Sequence, residues 1–214
     1  MEQYNRKKVF SQCPLFRGLS DIQQEVIVAQ IFAREKEYEK GEVIFQTGEK
    51  IWEFGIIMMG KVTVIKEDYN GNQVILAHLE MGDIFAEAFV FSSEIMTVTV
   101  MAESDCEILF LDQRQVLSVP ELTENLLRIF AGKNVFLTER IEHLSKKTIK
   151  EKVLSYLADC ARKAGSNRFS VPFNRQEMAD YLAVDRSALS AVLSKLKKEE
   201  KIDYWKNEFY LPDE

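Results

Sequence analysis

Residues 174–196, NRQEMADYLAVDRSALSAVLSKL, constrain the fold more than any other stretch of this chain. Asn174 stands three residues before Glu177, the spacing of a capping box, and predicts a helix from Arg175 with Met178, Ala179 and Leu182 on one face. Ala183-Val184 breaks that periodicity. Asp185, a good N-cap residue, then opens a second helix whose apolar face is Leu189, Val192, Leu193 and Leu196. Two short helices crossing closely at the small Ala179 read as a helix-turn-helix, although an ordinary helical hairpin would carry the same core stripe. Two features favour the former. The outward residues Arg186, Ser187, Ser190, Ala191 and Ser194 are short or basic, which suits insertion into a major groove. Downstream, Ile202-Asp203-Tyr204-Trp205, then Lys206-Asn207, then Glu208-Phe209-Tyr210-Leu211, reads as a small hairpin, the wing of a winged helix.

These residues assign a DNA-reading role. Arg186, Ser187, Ser190 and Ala191 are the candidates for base contacts, Arg186 through a bidentate contact to guanine and Ala191 through a thymine methyl. Asn174, Arg175, Gln176, Asp185, Ser194, Trp205, Lys206 and Asn207 are the candidates for backbone contacts.

The preceding chain has a different texture. Ser20 and Gln23 give another capping-box spacing, opening a short helix to about Gln30. From there to about Asp112, residues 43–45, 54–57, 62–65, 74–76, 98–100 and 108–111 read as short strands punctuated by glycines, with Asn70-Gly71 as the strongest hairpin-turn signal. Many short, evenly spaced strands predict a β-barrel or β-roll. Between about Glu121 and Leu144, the residues Leu127, Phe130, Asn134, Leu137, Ile141 and Leu144 recur at spacings of 3 and 4, a heptad seam narrower than an ordinary amphipathic face. Packing on the chain's own roll would also want an apolar face, but a two-fold DNA reader needs a partner, so the seam predicts a homodimer, with Asn134 fixing register.

The net charge of -6 divides unevenly. Residues 145–214 carry 14 Lys and Arg against 11 Asp and Glu, or +3, and residues 1–144 carry 14 against 23, or -9. The basic balance lies with the DNA-reading motif. No apolar run approaches the roughly 20 residues of a membrane span, and the N-terminal residues lack the apolar core of a signal peptide, so a cytoplasmic protein is expected. Cys13, Cys106 and Cys160 are too few and too scattered for a disulfide framework or a cysteine metal site, and no metal is expected. With two distant histidines, no Gly-rich phosphate loop and no paired-carboxylate motif, the chain offers no catalytic constellation.

The order of elements resembles the Crp/Fnr family of bacterial transcription regulators. The residues that carry the resemblance are Pro14-Leu15-Phe16 with Gly18-Leu19-Ser20, Lys40-Gly41-Glu42, Gly48-Glu49, Gly60-Lys61-Val62, Gly82-Asp83-Ile84-Phe85 and the stretch from Arg175 to Leu196. It implies an α+β architecture: an effector-sensing β-roll like a cyclic-nucleotide-binding domain over 1–120, a dimerisation helix over 121–145 and a winged helix-turn-helix over 146–214. It implies double-stranded DNA with a two-fold symmetric operator as a partner, a second copy as another, and RNA polymerase if the protein activates. The family's effector pocket maps to Phe85, Glu87, Phe89, Phe91, Met96, Thr97, Leu137 and Thr138. Cyclic-nucleotide binders of the family hold the ligand with a Gly-Glu pair and an Arg-Ser pair. Here the first is Ala86-Glu87 and the second Met96-Thr97, which leaves no guanidinium for the phosphate. Cyclic AMP is therefore not expected, and a cyclic-nucleotide-responsive regulator of the family stands as an alternative. Iron–sulfur chemistry lacks its ligands. Haem ligated by His78 or His143 stays an alternative to an apolar or gaseous effector, or to a roll that has lost sensing, and no cofactor is the expectation.

Overall fold

The computed structural model describes residues 2–31, 33–67 and 73–212. The chain forms two compact units that divide between Phe130 and Ala131. The first opens with helix α1 (Glu2–Gln12), a 3₁₀ turn at Pro14–Phe16 and helix α2 (Asp21–Gln30). The Ser20–Gln23 capping box is made at both ends, as its spacing predicts. Eight strands follow: β1 (Arg34–Tyr38), β2 (Val43–Phe45), β3 (Glu53–Met59), β4 (Val62–Glu67), β5 (Gln73–Leu79), β6 (Ile84–Phe85), β7 (Thr99–Ala102) and β8 (Cys106–Asp112). They pair antiparallel in two four-stranded sheets, ordered β1-β8-β3-β6 and β2-β7-β4-β5. Both sheets turn their apolar residues into one core, including Phe54, Ile56, Ile108 and Leu111 from the first and Val62 and Val100 from the second. This is the expected β-roll; the Asn70-Gly71 turn lies outside the described residues.

Between β6 and β7 a short helix, α3 (Glu87–Ser92), interrupts the strands, and α4 (Gln113–Leu117) follows β8. Neither was visible in the strand pattern. The long helix α5 (Pro120–Ser145) is continuous, yet its two halves belong to different units. Val119 just before it, with Leu122 and Leu126, is buried in the roll, and the buried Asn125 amide donates to the carbonyls of Leu15 and Arg17, both at 2.9 Å. Within the chain, residues up to 130 group with the first unit and the rest of the helix with the second.

The second unit continues with α6 (Ile149–Ala164), β9 (Arg168–Ser170), α7 (Arg175–Leu182), α8 (Arg186–Lys198), β10 (Asp203–Trp205) and β11 (Glu208–Tyr210). The last two strands pair across Lys206-Asn207, with Tyr204 opposite Phe209, and β9 adds a third strand beside β11. Leu157, Met178, Leu182, Leu189, Leu193, Leu196 and Phe209 form this unit's core. No helix of the described residues is long and apolar enough to cross a membrane.

Candidate nucleic-acid interface

The turn between α7 and α8 is built from local chemistry. The Asn174 side chain accepts from the amides of Gln176 and Glu177 at 2.9 and 3.0 Å, and Glu177 returns a bond to the Asn174 amide at 2.7 Å. At the other end Ala183 adopts the left-handed conformation, φ +49°, and Val184 donates to the Ala179 carbonyl at 3.0 Å, which closes the helix in a Schellman motif. Asp185 then caps α8, accepting from the amides of Ser187 and Ala188 at 2.8 and 3.0 Å. Each capping bond satisfies an otherwise orphaned backbone group, an amide at the N-terminus or a carbonyl at the C-terminus.

This geometry turns one face of α8 outward. Arg186, Ser187, Ser190, Ala191 and Ser194 are all exposed, and Leu189, Leu193 and Leu196 are buried beneath them. Ser190 and Ser194 donate to the carbonyls four residues back, at 2.9 Å each, so their hydroxyl lone pairs face outward. Ser187 donates to Asp185. Beyond the predicted set, Lys195 and Lys198 are exposed on the last turns of α8. Basic residues at a helix C-terminus were readable from the sequence as dipole partners.

The predicted backbone-contact residues separate into two groups. Trp205 is 76% exposed at the wing tip, beside Lys206, and Gln176 and Ser194 are exposed as well. Arg175 is different. Its guanidinium lies 4.9 Å from the Tyr204 ring centre and 5.1 Å from that of Phe209, and it donates to the Lys206 carbonyl at 2.8 Å. The side chain fastens the wing to α7, and burial lowers its pKa. Asn174 and Asp185 are likewise engaged as caps, and the Asn207 carbonyl accepts from the Val171 amide at 2.9 Å. The role of Arg175 could not be read from spacing, because its partners lie some thirty residues downstream.

The predicted effector residues have different surroundings, each within its own unit. Phe85 and Met96 are 3% and 1% exposed and belong to the first unit's core, with Phe89 and Phe91 packed against it. Gly55 makes room for the Phe85 ring, since a Cβ there would stand 2.2 Å from it. Glu87 is buried and Thr97 exposed. Ala86, where the family's binders carry glycine, has φ +65°, a conformation that glycine adopts more easily. Leu137 and Thr138 lie in the second unit and are exposed. At the matched phosphate position, the buried thioether of Met96 supplies neither charge nor donor, so these residues do not fit a cyclic phosphate.

The two histidines are placed differently. His78, on the exposed β5, has Nδ1 2.7 Å from Glu103, which also accepts from Thr63 at 2.8 Å. His143 is 1% exposed, with Nδ1 3.1 Å from the Ser155 hydroxyl and Nε2 3.5 Å from Asp159; burial lowers its pKa, with Asp159 opposing. Along α5, Leu127, Leu137 and Ile141 are 65%, 54% and 66% exposed, and Asn134 is exposed beside them. Phe130 and Leu144 are half-buried, and Phe130 meets Phe91 edge-on at 5.9 Å.

Comparison with known proteins agrees with this architecture. Residues 35–121 match the cyclic nucleotide-binding domain model and residues 151–214 the Crp-like helix-turn-helix domain model, together more than half of the chain. The "Probable transcriptional regulator flp" of Lacticaseibacillus casei is 27% identical over 194 residues, 89% of this chain and 87% of its own length. The cyclic AMP receptor protein of Thermus thermophilus is 25% identical over 190 residues, covering 87% of this chain and 86% of its own. The crystal structure of the Thermus thermophilus catabolite activator protein shares the fold, with a TM-score of 0.57, 22% identity and 93% coverage of both chains. A β-roll of the cyclic nucleotide-binding type, a long helix and a Crp-like helix-turn-helix, in that order, place this chain in the Crp/Fnr family of transcription regulators.

Proposed function

We propose that the protein works as a homodimer that reads a two-fold symmetric operator, placing α8 of each copy in successive major grooves about one helical turn apart. The observation that carries this reading is the face of α8, where five short or basic residues stand exposed on a buried leucine stripe. Arg186 takes the base-reading role with Ser187, Ser190 and Ala191, and Gln176, Ser194, Trp205 and Lys206 position the helix on the phosphates. The exposed seam of Leu127, Asn134, Leu137 and Ile141 supports pairing through α5, since an apolar stripe of this kind is costly in water. RNA polymerase joins the partners if the protein activates.

The effector, where there is one, is not a cyclic nucleotide, because Met96 stands where a phosphate needs a cation. Haem has no part in this reading: both ring nitrogens of His143 face protein groups, and His78 pairs with Glu103 on an exposed strand.

The experiment is selection of operators from random DNA by the full-length protein, then affinity measurements at fixed salt. A palindromic site is expected. Arg186→Ala should weaken binding to it by about 1 to 3 kcal/mol and flatten the preference at one base pair per half-site. A uniform loss across all sequences would make Arg186 a phosphate contact, and failure to select any palindrome would overturn the reading.

A further inference from the structure

The wing is gripped from both helices of the reading motif. Arg175, the first residue of α7, lies over the Tyr204 and Phe209 rings and donates from Nη2 to the Lys206 carbonyl. Lys197, near the end of α8, donates to the Tyr204 carbonyl at 3.1 Å, pairs with Asp203 at 2.5 Å and stands 5.1 Å from the Tyr204 ring centre. The Tyr204 ring therefore meets two cations, and it stacks on Phe209 at 5.5 Å and 28°.

Packing alone does not account for an arginine at this place. A cation in the first turn of a helix opposes the helix dipole. The Nη1 of Arg175 is buried and has no hydrogen-bond partner among the described residues, which is rare for a polar atom in a folded protein. A neutral side chain would avoid both costs. What the guanidinium adds is a flat cation that lies on aromatic rings while its fork holds a carbonyl, and lysine has no such fork. That carbonyl belongs to Lys206, the wing-turn residue with φ +52°. Strand β10 lies at the edge of its sheet, in the order β10-β11-β9, so these two side chains supply its hold from the helices.

We propose that Arg175 and Lys197 are positioning residues for DNA binding: they touch no phosphate and act through the wing, which they hold so that Trp205 and Lys206 meet the backbone beside the groove that α8 enters. The proposal rests on the DNA-reading role of α8 and not on the symmetry of the operator, because backbone contacts carry no sequence information.

Affinity of the full-length protein for random-sequence duplex DNA, measured against salt, tests it. Lys206→Asn should reduce the slope of log K against log salt by about 1. Arg175→Gln and Lys197→Met should each do the same and weaken binding about five- to tenfold at about 0.15 M salt, and neither should add to Lys206→Asn in a double variant. Direct phosphate contacts would add instead, lowering the slope by about 2. Arg175→Gln removes a buried charge that lacks a counter-charge, and Lys197 is exposed, so both variants should fold. The free protein gives a second readout. The chain has two tryptophans, and Trp52→Phe in the first unit leaves Trp205 as the one that reports. In that background Arg175→Gln should lower the fluorescence anisotropy of Trp205. Additive slopes, unchanged affinity in Arg175→Gln and Lys197→Met, or unchanged anisotropy would overturn the proposal. No binding of duplex DNA by the wild type would overturn it together with the DNA-reading role, whereas failure to select a palindrome while these results hold would fall on the symmetric operator alone.

Discussion

Ala183 occupies the left-handed region at the exposed end of α7, where the Cβ of an L-residue meets the following carbonyl. That strain is about 1 to 2 kcal/mol, and glycine's extra freedom in the unfolded chain offsets roughly 0.4 to 1 of it. Because the methyl is exposed, little packing is lost. Ala183→Gly should therefore raise stability by about 0.5 to 1 kcal/mol, and chemical denaturation would show it; a loss of stability would mean that the turn is built otherwise. His143 offers a second test. Asp159, Glu139 and Glu142 face it and raise its pKa, Lys146 lowers it, the Ser155 hydroxyl and the rings of Tyr156 and Tyr181 lie against it, and burial prevails, so the folded value lies below the unfolded one. The folded state then binds the proton less readily than the unfolded state. Its contribution is complete above the ordinary histidine value of about 6.5 and is lost as pH falls from there through the lowered folded value. Hydrogen exchange in α6, corrected for intrinsic rates, should show protection falling between pH 7 and 5, with a flatter dependence in His143→Gln. An equal slope in both proteins would exclude His143 as the cause.

At the scale of elements, α5 has an apolar stripe that its own chain leaves uncovered. Ile141 is 66% exposed, so an aspartate there costs the isolated chain little, whereas at a paired seam it would bury a charge without a partner, at several kcal/mol. Ile141→Asp should run as a folded monomer in light scattering at micromolar concentration. A wild type that is already monomeric, or a variant that stays dimeric, would remove the seam from the reading. Other elements explain themselves by their neighbours. Strand β1, REKEY, buries only Tyr38, and its charges suit a sheet edge; without a period-two apolar pattern it could not be recognised before its pairing with β8 was seen. Helix α6 carries a signal of its own in the sequence, the Thr148–Glu151 capping box.

For the whole molecule, the division of charge decides how DNA is approached. With +3 in residues 145–214 and -9 before them, attraction to phosphates is local to the reading unit and strongly salt-dependent. Lys206 stands exposed at the wing turn with φ +52°, and asparagine tolerates that conformation without the charge. Lys206→Asn should weaken binding evenly across sequences and reduce the slope of log K against log salt by about 1. An unchanged slope would place Lys206 away from the phosphates.

What the sequence determined by itself was whatever depends on near neighbours. The caps at Ser20, Asn174 and Asp185, the leucine stripe of α8, six of the eight roll strands and the two wing strands all follow from spacings of two to four residues, where backbone periodicity dictates which side chains share a face. The tertiary structure alone decided that Arg175 fastens the wing rather than reaching outward, that α5 divides between two units, that Met96 fills an interior, and that residues from Phe136 to Tyr181 enclose a cavity. Each of these rests on contacts between residues far apart in the chain. Their geometry is set by how whole elements pack, and periodicity within an element carries no information about that.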